Sequence, residues 1–224
     1  SAASDVYKRQ IYMYDGVSDH FRRIFDAVSI VKTDKVDNLW VRHGNLWSIL
    51  DVGTGELITP CHDEPTPTGS NLSLCTYNKD LYSFIGRKIY RFNHAGNKFE
   101  HCLTLPGSSR EGIRFAAAHK GKMCVFIDKE GLYEIDLSTF KTENRYGPWN
   151  EFNANSLRAF HIDKNGKIWF GTIDRLYILD PVTRHLSAYQ HSDTDPFSLP
   201  NNSVWTISED RQSNIWIGTY LSLI

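Results

Sequence analysis

The feature that most constrains this 224-residue chain is that it repeats itself. NSLRAFHIDKNGKIWFGT (155–172) and NSVWTISEDRQSNIWIGT (202–219) align without a gap and share Asn, Ser, Asp, Ile, Trp, Gly and Thr. Reading back from Trp216 and Trp169, weaker copies place Cys124, Tyr82 and Trp40 at the same point, with successive separations of 47, 45, 42 and 42 residues. A second set of anchors, Trp47, Tyr90, Tyr133 and Tyr177 in LWSILD, IYRFN, LYEID and LYILD, keeps the period at 43, 43 and 44. Two independent anchors in one phase define a tandem array.

Within a unit the apolar residues form short runs rich in Ile, Val, Tyr, Phe and Trp, bounded by turn residues, and no helical period persists. In the fourth unit the pattern predicts strands over 157–162, 168–172, 176–180 and 185–191, with Asp163, Lys164, Asn165 and Gly166 in a turn. Runs such as CVFI (124–127) are apolar at consecutive positions, so both faces of the sheet are buried, as in stacked blades. The expected fold is therefore all-β, an incomplete β-propeller of about five four-stranded antiparallel blades. The units read as a remnant over 11–26, then 27–61, 72–105, 113–146 and 157–191, and an opening half-blade over 203–220. Residues 1–10 (SAASDVYKRQ) and 221–224 (LSLI) resemble adapter or cloning sequence and are set aside, leaving a partial propeller over 11–220. Such a piece is expected to be an open arc that self-associates, a homodimer among the outcomes.

Composition narrows the partner. Lys and Arg number 25 against 26 Asp and Glu, and the charges are scattered, so no footprint for nucleic acid or anionic lipid is present. A small neutral ligand is favoured. No stretch is apolar for long enough to cross a bilayer, and no membrane contact by this segment is expected. Cys61, Cys75, Cys102 and Cys124 lack zinc-site spacing, and neither metal nor cofactor is expected.

LPNNSVWTISEDRQSNIWIGTY (199–220), preceded by the connector YQHSDTDPFSL (189–199), resembles the two-component regulator propeller repeat. Trp169, Gly171 and Thr172 repeat its core one unit earlier, whereas Ser213 stands where that repeat usually has Gly. The resemblance implies the periplasmic sensor region of a hybrid histidine kinase of Bacteroidetes type. Its ligand would be an oligosaccharide and its output the regulation of polysaccharide utilisation. The signal would pass to downstream kinase domains of the same parent, which this chain does not contain.

On the innermost strand of each unit one position aligns as Ser29, Ser73, Arg114, Arg158 and Trp205. Arg supplies a planar fork of donors, and an indole face can stack on a sugar ring, so Arg114, Arg158 and Trp205 are candidate ligand-binding residues. The competing role is inter-blade pairing and packing. Trp149, off the strand pattern in YGPWNEF, is a further stacking candidate, whereas Trp40, Trp169 and Trp216 are assigned to the core. No catalytic residue is expected. Glu209 and Asp210 are adjacent on a strand and point to opposite faces, and Cys61 beside His62 lacks an orienting third group. A propeller enzyme of lyase or lactonase type and a protein-binding scaffold are the alternatives to a ligand sensor.

Overall fold

The computed structural model describes residues 2–5, 10–25, 28–34, 36–43, 46–63, 73–107, 111–150, 156–220 and 222–223. These residues form strands and turns with no helix. They fall into two compact units, 1–106 and 107–224.

The first unit holds three sheets. The leading sheet is β1 (Ala2–Asp5), β2 (Gln10–Asp15) and β3 (His20–Phe25). The first blade is β4 (Val28–Thr33), β5 (Leu39–His43), β6 (Leu46–Leu50) and β7 (Leu57–Ile58). A two-residue strand, β8 (Cys61–His62), then joins the second blade, β9 (Ser73–Tyr77), β10 (Asp80–Ile85), β11 (Lys88–Asn93) and β12 (Lys98–Thr104). The second unit holds the third blade, β13 (Ile113–His119), β14 (Lys122–Ile127), β15 (Gly131–Asp136) and β16 (Lys141–Tyr146). It continues with the fourth, β17 (Leu157–Ile162), β18 (Ile168–Thr172), β19 (Leu176–Leu179) and β20 (Leu186–Tyr189), and the fifth, β21 (Val204–Glu209), β22 (Ile215–Thr219) and β23 (Ser222–Leu223).

Every blade is an antiparallel meander in sequence order, the geometry of β-propeller blades. The strand bounds match the repeat closely, with two differences. Cys61, read as the end of the first blade, pairs in parallel with Lys98 on the outer strand of the second, because Pro60 follows the short β7 and the chain has already crossed over. Residues 2–5 and 222–223, which the repeat does not cover, pair antiparallel with β2 and β22.

The core lies between consecutive sheets. Ile11 and Ile24 of the leading sheet meet Val41 and Leu50 of the first blade. Trp40 and Trp47 of the first meet Leu74, Tyr90 and Phe92 of the second. In the second unit Cys124, Phe126 and Leu132 of the third blade meet Ile168, Phe170 and Tyr177 of the fourth, and Ala159 and Leu176 of the fourth meet Val204 and Ile207 of the fifth. Each fully buried Leu, Ile or Phe side chain contributes roughly 1.5–3 kcal/mol, so a sheet with two apolar faces is stabilised by both of its neighbours.

The repeat motif now has a physical reading. In the fourth blade Asp163 Oδ1 accepts the backbone N–H groups of Asn165 (2.9 Å) and Lys167 (3.0 Å), and Oδ2 accepts the indole N–H of Trp169 (2.9 Å). Asp210 does the same for Asn214 (2.8 Å) and Trp216 (2.9 Å) in the fifth. Asp34 does so for Val36 (3.0 Å), Asn38 (3.0 Å) and Trp40 (2.8 Å) in the first. The carboxylate therefore fixes the turn before the second strand and orients the tryptophan at that strand's centre. In the second and third blades, which lack Asp and Trp here, two residues with positive φ make the turn: Asn78 (47°) and Lys79 (64°), then Lys120 (46°) and Gly121 (79°). That is the type I′ hairpin, which needs no capping carboxylate. The motif glycine is set by packing, since a Cβ on Gly171 would lie 2.7 Å from Val204 Cγ1 of the next blade. Thr172 is fully buried and its hydroxyl accepts the N–H of Arg175 (3.1 Å), closing the following turn.

Candidate functional site

Arg114, Arg158 and Trp205 each stand second in the innermost strand of their blade, and each is skipped by the pairing of that strand. Ile113 pairs with Ile127 and Phe115 with Phe126, leaving Arg114 out. Leu157 pairs with Thr172 and Ala159 with Gly171, leaving out Arg158. Val204 pairs with Thr219 and Thr206 with Gly218, leaving out Trp205. The aligned position is thus a β-bulge in three successive blades, and a bulge re-aims a side chain without ending the strand. The preceding residues Ile113, Leu157 and Val204 are buried and anchor the strand, while Arg114, Arg158 and Trp205 are exposed, the indole at 53%.

The innermost strands β13, β17 and β21 are neighbours in order. Arg158 and Trp205 meet across the second of these seams, with the guanidinium carbon 5.7 Å from the indole centroid, within cation–π range. Each has a second anchor: Arg158 Nη1 donates to the carbonyl of Leu157 (3.1 Å) and Trp205 Nε1 to Ser203 Oγ (3.0 Å). The indole and the guanidinium plane set an apolar face beside a planar cation, chemistry suited to a hydroxylated ring. In the other unit Ser73 pairs regularly with Phe84, without a bulge, and Ser29 falls in the irregular stretch between Val28 and Val31.

Trp149 is half-buried and lies elsewhere. Its ring packs edge-on to Phe170, with centroids 5.7 Å apart, beside the core between the third and fourth blades, and covers Gly147. That gives it a packing role. Trp40 is fully buried, Trp169 is half-buried against the core of the fourth and fifth blades, and Trp216 is 46% exposed.

The connector ahead of Trp205 is held by its own polar groups. The N–H of His191 donates to Asn202 Oδ1 (2.6 Å), and its ring contacts the Leu199 carbonyl (2.6 Å) and Asp193 (3.0 Å). That carbonyl and then the Asp193 carboxylate raise the imidazole above its ordinary pKa. The loop carries Phe197 at 95% exposure, a residue that the repeat alignment did not single out. The bulge was equally hidden, because it is a property of pairing with the next strand; its trace in the sequence is a buried aliphatic residue followed by a large exposed one, in Ile113-Arg114, Leu157-Arg158 and Val204-Trp205.

Among the described residues no group of three or more His, Cys, Asp and Glu is gathered for a metal. Glu209 Oε2 accepts the Lys164 N–H of the preceding blade (2.8 Å) while Asp210 caps its own turn, so the two carboxylates are committed to different places.

The class these features define is a β-propeller, with Asp-capped turns in its first, fourth and fifth blades and a bulge in the innermost strands of its third, fourth and fifth. The family model for the two component regulator propeller matches residues 151–174 and 198–221, so the fourth and fifth blades carry repeats of that family. Among solved structures the chain is similar to the extracellular domains of two putative hybrid two component systems of B. thetaiotaomicron. One has a TM-score of 0.72 and 19% identity over 97% of this chain and 30% of that one. The other has a TM-score of 0.57 and 19% identity over 98% and 38%. The chain thus spans about a third of their length. A chain of the mitotic checkpoint complex is similar in fold too, with a TM-score of 0.62 and 15% identity. No curated protein matches the sequence.

Proposed function

We propose that this chain is the ligand-sensing propeller segment of a hybrid two-component receptor, placed outside the cytoplasm in the periplasm. In this reading Arg114, Arg158 and Trp205 form its ligand face and the ligand is an oligosaccharide. The observation that carries the proposal is the bulge shared by three successive innermost strands, which exposes two guanidinium groups and an indole where regular pairing would direct them into the blade stack. The matched repeats of the fourth and fifth blades support the receptor setting, and the two bacterial extracellular domains support the placement. The segment binds without turning its ligand over, and the downstream kinase domains of the parent regulate polysaccharide utilisation.

The test is calorimetric titration of the chain with a panel of purified plant and host oligosaccharides, followed by Arg158→Ala on any that bind. Loss of a charged hydrogen bond at about 1.5–3 kcal/mol corresponds to a weakening of roughly 10- to 150-fold. The melting temperature should stay within about 1 °C, since an exposed side chain contributes little to folding. Unchanged affinity with a lowered melting temperature would make Arg158 an inter-blade brace and remove the ring from the ligand face.

A further inference from the structure

The innermost strands of the fourth and fifth blades touch a second time. Three residues beyond Arg158 on β17, and four beyond Trp205 on β21, His161 faces Glu209 with Nε2 3.8 Å from Oε2. At the rise of an extended strand this lies about 10–13 Å from the Arg158–Trp205 contact. The two side chains are 24% and 14% exposed, and His161 Nε2 has no hydrogen-bond partner among the described residues. A buried ring nitrogen ordinarily has one. Glu209, by contrast, is already engaged, because Oε2 accepts the Lys164 N–H at 2.8 Å in the turn that Asp163 caps. From the other side His119, at the end of β13, lies with Nε2 3.1 Å from the Lys164 carbonyl. One turn of the fourth blade is therefore clamped by side chains of the third and the fifth.

We propose that His161 is a proton-operated release for this seam: uncharged it is tolerated against Glu209, and protonated it frees the Lys164 turn. The titratable groups facing the ring are Glu209 from β21, Asp163 from its own turn and His119 from β13. Burial is the strongest influence on the ring and opposes its charge, the two carboxylates favour it, His119 opposes it, and the net effect is a lowered pKa. At 3.8 Å from Oε2, which already accepts the Lys164 N–H, the imidazolium stands beyond hydrogen-bond distance of the carboxylate. It gains a hydrogen bond by drawing the Glu209 carboxylate toward itself and away from the Lys164 N–H. That movement breaks the Glu209–Lys164 bond, one of the contacts between the fifth blade and the fourth, at the far end of the strands that also carry Arg158 and Trp205.

The experiment follows two signals in the chain as it is. Hydrogen exchange of the Lys164 amide, corrected for the intrinsic pH dependence, should show protection falling about tenfold or more between pH 7.5 and 5, and this step should vanish in His161→Gln. Protection that is flat or rises in acid, or a step that persists in His161→Gln, overturns the proposal. Independently, the His161 Hε1 resonance should titrate with a midpoint below the ordinary 6.5 or so. In Glu209→Gln that midpoint should fall further, since an attractive carboxylate is lost. A midpoint at or above the ordinary value, or one indifferent to Glu209→Gln, also overturns it. These arms need only the wild type and Glu209→Gln, so they decide the matter even if His161→Gln fails to fold.

Discussion

Truncating Asp163 tests whether the repeat motif is a structural lock. The carboxylate is 4% exposed and accepts two backbone N–H groups and the Trp169 indole at 2.9–3.0 Å. Asp163→Ala removes all three acceptances at once. Asn165 and Lys167 are exposed, so their N–H groups regain water, but the indole N–H sits against the seam of the fourth and fifth blades and does so poorly. A loss of about 3 kcal/mol follows, the upper part of the range for hydrogen bonds to a charged group. In a chain of this length that is a fall in melting temperature of roughly 6–12 °C. Asp163→Asn keeps one acceptor for the backbone pair and should fall in between. Asp210 makes the equivalent contacts in solvent, so Asp210→Ala is the internal control and should shift the melt far less. Thermal melts by circular dichroism measure all three variants. Equal shifts for the two alanine variants, or a shift under about 1 °C for Asp163→Ala, would show that the shared letters mark ancestry without supplying stability.

Gly171→Ala should destabilise by about 1–3 kcal/mol in urea titrations, because its Cβ would press on Val204 of the fifth blade, and a neutral result would mean that seam is loosely packed. Stability should fall as pH drops from about 4 to about 2. The side chains of Ser138 on Asp136, and of Asn214 and Trp216 on Asp210, hold each carboxyl down to about 2, so the unfolded chain takes up those protons first. A urea midpoint that rises over that window would refute the sign. Of the four cysteines, exposed Cys61 should react first with a thiol reagent in the native state, since burial pushes Cys75 up to about 11 and Cys124 up to about 12. Faster labelling of Cys124 than Cys61, read by peptide mass spectrometry, would contradict the burial of the third blade.

The blades were legible because their determinants are local and periodic. Trp169, Tyr177 and the residues around them alternate with turn residues at a spacing that tertiary context had only to accept, and the strands fall where that spacing puts them. Asp163 was readable as a turn residue, but its bond to Trp169, six positions on, was not, since nothing in a string of letters says which side chain a carboxylate will meet. The second and third blades kept their period without the motif for a reason visible only in φ angles. Asn78 with Lys79, and Lys120 with Gly121, turn the chain tightly enough that no cap is needed. Cys61 was misplaced because a two-residue strand carries no period of its own, and its partner, Lys98, lies beyond a long connection.

The proposed ligand face divides in the same way between what repeats and what pairs. Aligning the units identified the position of Arg114, Arg158 and Trp205, since a column in a repeat is a column in space. It could not distinguish a brace from a binding residue, because that depends on whether the side chain enters the ladder of its own sheet. The pairing registers add that each of the three is passed over in its ladder, next to a buried Ile113, Leu157 or Val204. Three bulges in phase, each beside a large exposed polar or aromatic side chain, are what supports the proposal that this row meets a ligand, since a bulge re-aims a side chain without ending its strand.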